Sequence, residues 1–337
     1  VFTARGIGGK ARVFGEVEGE GAAQLGKECI IARRDDKKPI RRAIGGKGRD
    51  GRMARAGAAR WYAGGRGDGN AVFLNGQLAI QHRNVDLRPK AGAAAVIKRR
   101  QHPLRQIHAR HDIAQRGPHP HRGFETVTFI LDGELAHNDS GGGESIIKAG
   151  GIQWMTAGSG LIHAELSPAD FKRDGGPMEI LQLWVNLPSR LKMTRPAYVG
   201  LQAADIPTFT TEGGVTVEPV SGEWMGVRAP IQSLIDIHLA VVRLPAGARF
   251  EVPVAPGRTV FFYVIKGQLS VAGTPVPEWN LAALGDGDWV EITAETDAVV
   301  LLGHAEPIKE PVFSHGPFVM TTREEIIQAI QDYQSGK

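Results

Sequence analysis

The sequence predicts an all-β protein of two β-barrels or jelly rolls, followed by one C-terminal helix and preceded by an irregular basic segment. Three observations lead there. From Pro118 onward, short runs rich in β-branched and aromatic residues are cut at brief intervals by Gly and Pro, and no helical segments alternate with them. Two of those runs echo each other: "FETVTFILDGEL" and "TVFFYVIKGQLSV" each place a β-rich stretch before a turn glycine, Gly133 and Gly267, with Leu two residues beyond. A chain of 337 residues with 42% hydrophobic content is also long enough for two cores of ordinary size.

The segment before the barrels, residues 1–117, is of a different character. It holds 25 Lys+Arg against 10 Asp+Glu, a net of +15, whereas the remainder holds 15 against 26, a net of −11. The overall +4 therefore describes neither part. Clustered cations suit a nucleic-acid-binding arm, because they neutralise phosphates and release counterions. The stretch "RRAIGGKGRDGRMARAGAARWYAGGRGDG" argues instead for poor order: it has no helical or strand period, and it buries too little to offset its ordering entropy. Trp61 and Tyr62 are its only adjacent aromatic pair, thin material for a stacking platform. Within the segment only "AVFLNGQLAI", residues 71–80, reads as structured, since Asn75-Gly76 between two apolar tetrads signals a hairpin turn. "GAAQLGKE", from Gly21, approaches a phosphate-binding loop, but Glu28 stands where a Ser or Thr would reach magnesium, and the match reads as chance. Cys29 is the single cysteine, which excludes an intrachain disulfide and any thiolate cluster; nothing around it marks a nucleophile.

The first barrel is expected over residues 118–220. It opens on "HPHRGFETVTFILDGEL", where His119 and His121 lie two apart with Pro120 keeping the spacer extended, so both rings point to one face of a strand. Taken alone, a His-x-His is as often a solvent-exposed or tag-like pair as a ligand pair. Here a second pair answers it: His163 and Glu165 in "GSGLIHAELS" again share a face. If the two strands are neighbours, three imidazoles and one carboxylate converge on a first-row metal site with two open positions, a donor set that suits iron, manganese, nickel or copper. His137 reads as a strand-end histidine in a hydrogen bond, and Trp154 and Met155 as packing. The second barrel, residues 221–337, repeats the β pattern but lacks histidines where the first has them: "APGRTVFFY" stands where "PHPHRGFETVTF" stood, so this barrel is expected to be metal-free. At the end of the chain, Thr322 and Glu325 have capping-box spacing, and Ile326, Ile327, Ile330 and Tyr333 make one stripe of a docked helix.

Several motifs in order, "HPHRGFETVTFILDGELAHNDS", "GGIQWMTAGSGLIHAE", "LQLWVNLP" and "TREEIIQAIQDYQSG", together resemble the pirin family of the cupin superfamily, from about Pro118 to the C-terminus. The resemblance implies a bicupin with iron in the N-terminal barrel only, held by His119, His121, His163 and Glu165. Glu125 matches the glutamate of the general cupin motif and is expected just outside the ligand set. Residues 1–117 do not share the resemblance. In that family the preceding segment supplies strands and an Asp-bearing wall of the first barrel, and neither is found here; the change in composition and the initial Val suit a wrong start, a frame shift or a fusion.

Two functions of different class follow from the resemblance. One is dioxygenase chemistry of the quercetin 2,3-dioxygenase type, with Fe2+ or another divalent metal, a small aromatic or enol substrate, O2, and Glu165 sharing the substrate's hydroxyl proton. The other is an iron-binding, redox-sensing regulator that acts through protein partners. The anionic β region argues against nucleic-acid binding by the barrels. The sequence has neither eighteen consecutive apolar residues nor an apolar run of signal-peptide type, so no membrane association is expected and a cytoplasmic location is.

Overall fold

The computed structural model describes residues 60–63, 78–86, 116–271, 273–284 and 287–337. The proposed Asn75-Gly76 turn, the loop at Gly21 and Cys29 lie outside the described residues. No helix among the described residues is long and apolar enough to cross a membrane.

Among the described residues, the first ten strands in chain order are β1 (Arg60–Ala63), β2 (Leu78–Asp86), β3 (Arg116–His121), β4 (Phe124–Asp132), β5 (Glu134–Asp139), β6 (Glu144–Lys148), β7 (Ile152–Thr156), β8 (Leu161–Leu166), β9 (Pro177–Asn186) and β10 (Ala197–Leu201). The first barrel is two facing sheets, one ordered β10-β7-β4-β9-β2 and the other β3-β8-β5-β6. The second barrel pairs a seven-stranded sheet, whose centre is Thr259–Lys266, Ala298–Ala305 and His238–Leu244, with a four-stranded sheet of Arg249–Pro253, Trp289–Ala294, Gln268–Val271 and Thr274–Pro277.

The basic segment contributes to both barrels. β2 runs antiparallel along β9 from Leu78↔Val185 to Asp86↔Pro177, and β1 pairs with Asn280–Ala283 of the second barrel. The expectation that residues 1–117 bring no strand to the first barrel is therefore corrected. The second limb of the proposed hairpin is a strand, and it extends through the polar "QHRNVD" because an existing strand edge satisfies its backbone.

The echo between the two halves is structural. Gly133 and Gly267 both have left-handed φ, +81° and +84°, and each follows a bulge at the same point, Ile130/Asp132 in β4 and Val264/Lys266 in its counterpart. Period-two alternation then decides what each barrel holds. Val127, Phe129, Leu181, Leu183 and Val185 face the other barrel and pack against Leu239, Val241, Phe261, Tyr263 and Leu301. The opposite faces differ. In the second barrel they fill the interior with apolar side chains such as Val242, Phe262, Val264, Val300 and Leu302. In the first barrel they bury Thr126, Thr128, Gln153, Gln182 and Asn186. Buried polar groups cost free energy unless they are engaged, so the first barrel's interior is built around polar partners.

The C-terminal helix, Arg323–Gln334, starts on the expected capping box between Thr322 and Glu325. Its buried face is narrower than the predicted stripe. Ile326, Ala329 and Ile330 pack on Phe318, Met320 and Phe313, while Ile327 and Tyr333 are exposed.

The mouth of the second barrel carries its own buried histidine. His304, opposite His238 in the sheet, accepts from Arg258 Nε at 2.7 Å. Burial above all, then Arg258 and His238, pushes its imidazole down to about 3. An unfolded chain protonates this group near pH 6.5 and the folded one does not, so its contribution to stability is full above that value and is lost as pH falls toward 3. The fall from 6.5 to about 3 corresponds to roughly 5 kcal/mol. We expect His304→Gln to flatten the stability profile between pH 6.5 and 4 in urea melts; an unchanged slope would exclude this group as the acid-sensitive one.

Candidate metal centre

The two sequence pairs meet across one strand boundary. β3 and β8 are antiparallel neighbours, with His119 directly opposite His163 and His121 opposite Leu161. The ring centroids of His119, His121 and His163 are 4.3–4.9 Å apart. Their ligand nitrogens all lie within 4.8 Å of one another. His121 and His163 are buried and His119 is half-buried.

Two of these rings are oriented through the nitrogen that faces away from a prospective metal. His119 Nδ1 lies 2.9 Å from Gly117 O, and His121 Nδ1 lies 3.3 Å from Pro317 O. With Nδ1–H donating to a carbonyl, Nε2 is left as the lone-pair donor, the usual arrangement behind a metal-bound histidine. Burial, reinforced by His163 and then His119, holds the His121 imidazole well below its ordinary range. It is therefore neutral at pH 7, the form that ligates.

Glu165 stands two residues beyond His163 on the same face, outside the tight trio. Its Oε1 accepts from Gln182 Nε2 at 2.8 Å and from Thr128 Oγ1 at 3.3 Å. His137 lies beside it, opposite Glu165 in β5–β8 register. As expected, His137 is hydrogen-bonded: Nε2 is 2.7 Å from Asp139 Oδ2, and its ring stacks on Tyr198 at 3.9 Å. Asp139 Oδ1 in turn accepts from the backbone of Gly141 and Gly143. Phe124 and Trp184 pack edge-on to His121 at 5.1 and 5.3 Å.

Glu125 is not part of this group. Its odd position in β4 turns it to the face shared with Val127 and Phe129, where Oε1 accepts from Trp154 Nε1 and Thr156 Oγ1, and burial pushes its carboxyl up. The expectation of a place beside the ligands fails on strand parity. Trp154 and Met155 are packing residues, in the inter-barrel core and against Leu161 respectively. Thr128 and Gln182 are not among the site residues expected from the motifs. Their signal is the polar residue at alternate positions of otherwise apolar strands, Thr126 and Thr128 in β4 and Gln182 in β9.

The donor chemistry fits a divalent first-row metal. Three imidazoles with a carboxylate close by, and no thiolate among the described residues, match iron, nickel or manganese better than a closed structural zinc site.

Residues 95–185 match the Pirin family and residues 239–337 match the Pirin C-terminal cupin domain. The first match starts upstream of Pro118, so the resemblance reaches further into the basic segment than its motifs indicate. A pirin-like protein of Caulobacter vibrioides is 47% identical over 221 residues, covering 65% of this chain and 79% of that protein. Human pirin is 39% identical over 228 residues, with 65% and 76% covered. The crystal structure of a quercetin 2,3-dioxygenase from Acinetobacter baumannii superposes with a TM-score of 0.68 at 32% identity, covering 78% of this chain and 86% of that one.

Proposed function

This chain belongs to the pirin family, and from that premise we propose that it is an iron-dependent dioxygenase that opens the central ring of a flavonol or a related enol with O2. The observation that carries the reading is the trio of histidines within 4.8 Å, set in a polar barrel interior while the sister barrel is filled with apolar side chains. The name of the Acinetobacter protein supports the substrate class.

His119, His121, His163 and Glu165 would hold the metal. Iron bound there would supply Lewis acidity toward an enolate oxygen and electrons for the activation of O2. In the reaction both atoms of O2 enter the opened product, and one ring carbon leaves as carbon monoxide with the oxygen of the substrate's hydroxyl. Glu165 takes the proton of that hydroxyl; Gln182 and Thr128 fix one of its oxygens for the purpose. Phe124 and Trp184 border His121 with apolar surface and limit water at the reacting carbons.

The test is carbon monoxide release and loss of flavonol absorbance under air, with His163→Ala and metal-stripped protein as references. Both signals are expected from the iron-loaded parent alone. If iron-loaded protein turns over no flavonol or other enol, yet changes redox state reversibly and binds a protein partner, the regulatory reading replaces this one.

A further inference from the structure

The chain's last strand lies against the turn that follows the His-Pro-His motif. Residues Phe318–Met320 belong to the C-terminal region, yet Arg122 bridges in parallel to Phe318, and Val319 N donates to Arg122 O at 3.1 Å. Pro317, one residue earlier, presents its carbonyl to His121 Nδ1. Gly123 has φ +88°, and a Cβ there would run into Val319 O and Met320 Sδ, so only glycine admits so close an approach. Arg122 Nη1 pairs with Asp332 of the C-terminal helix at 2.8 Å, both side chains partly buried.

One residue ties these contacts together. Lys192 is 2% exposed, and its Nζ donates to Gly123 O at 2.9 Å, to Asn186 Oδ1 at 2.7 Å and to Val319 O at 2.9 Å. An ammonium has three donors and no acceptor, and here each donor has an acceptor. These acceptors sit on the His-Pro-His turn, on strand β9 and on the C-terminal strand. Burying a lysine is expensive unless its charge is fully engaged, so a lysine here is spent on holding three segments in register beside His121.

We propose that Lys192 is a positioning residue for His121: by fastening Gly123 to the C-terminal strand it fixes the imidazole, and so couples metal affinity in the first barrel to docking of the C-terminal segment. The proposal rests on the metal reading above. The coupling is reciprocal, as any equilibrium linkage must be: metal binding tightens the docked segment as much as docking tightens the metal. Outer partners of metal-bound histidines typically change affinity 10- to 100-fold when removed.

The experiment is titration of the metal-stripped full chain with cobalt(II), following its visible absorption, whose position and intensity report ligand geometry. Lys192→Met is expected to weaken cobalt(II) by at least about tenfold and to alter the spectrum, and Asp332→Ala, on the far side of the same turn, to weaken it by a smaller factor. In the parent, cobalt(II) should slow proteolysis C-terminal to Phe313; in Lys192→Met it should do so less. A parent that binds no cobalt(II) saturably overturns the metal reading and this proposal with it. A parent that binds, with a folded Lys192→Met protein of parental affinity and spectrum, overturns the positioning role alone. Should Lys192→Met fail to fold, Asp332→Ala decides: weakened binding supports the coupling, and parental binding excludes it.

Discussion

Substituting His163 with Ala is expected to abolish stoichiometric metal binding, and His121→Ala to do the same. Both rings are 2% exposed and sit in a trio whose ligand nitrogens lie within 4.8 Å. Removing either leaves two imidazoles on a single strand pair, or on one strand, in place of the three converging nitrogens. A metal that binds the native state alone stabilises it by about 4 kcal/mol at a thousandfold excess over Kd. The parent should therefore melt higher when metal is added, and the variants should not. Elemental analysis after dialysis, read together with melting with and without metal, checks both halves of the expectation. Full metal content in the His121→Ala/His163→Ala double variant would remove these residues from the site. His119 is half-buried and hydrogen-bonded to Gly117, so His119→Ala should cost affinity rather than all binding.

The candidate centre was legible in the sequence because its prospective ligands obey a local rule. In a strand, residues two apart share a face, and His119, His121, His163 and Glu165 come as two such pairs. What spacing could not give was the register that sets His119 against His163, which depends on the bulge between Arg116 and His119. The same parity rule places Glu125 on the opposite face from Thr126 and Thr128, and there the family motif misled where simple alternation would have served. The C-terminal helix and its cap were legible for a local reason too. Its buried face was not, since Ile327 points away from Phe318 and Met320 only once those residues are in place.

The remainder is non-local. Lys192 in "SRLKMTR" reads as one more surface lysine; its partners Gly123 and Val319 are 69 and 127 residues away along the chain. Strand β2 is half polar, and its pairing is decided by β9, about a hundred residues later, not by its own pattern. The polar lining of the first barrel was visible as Thr128 and Gln182, but its meaning emerges only beside Glu165. Sequence thus showed which atoms could hold a metal, and the fold shows which atoms hold those side chains in place.

Glu165→Gln should leave a folded protein that has lost most of its turnover. The carboxamide is nearly isosteric and its oxygen can still accept from Gln182 and Thr128, so the buried hydrogen bonds of Glu165 have a substitute. Two properties do not survive: the negative charge offered to a divalent ion, and the capacity to take a proton from a substrate hydroxyl. Loss of the first lowers metal affinity, by about 10- to 100-fold if the effect resembles that of other supporting groups. Loss of the second lowers the rate at saturating metal, by roughly 10²- to 10⁴-fold for a general base. Measuring flavonol cleavage across an iron titration separates them, since a deficit that excess iron repairs belongs to binding and one that persists belongs to proton transfer. Gln182→Leu supplies the contrast: it keeps the carboxylate but removes the 2.8 Å donor that aims it, so a loss of about tenfold is expected, with metal affinity less affected. Parental turnover by iron-saturated Glu165→Gln would show that the proton leaves by another route, and the buried His137–Asp139 pair opposite Glu165 would be the next group to substitute.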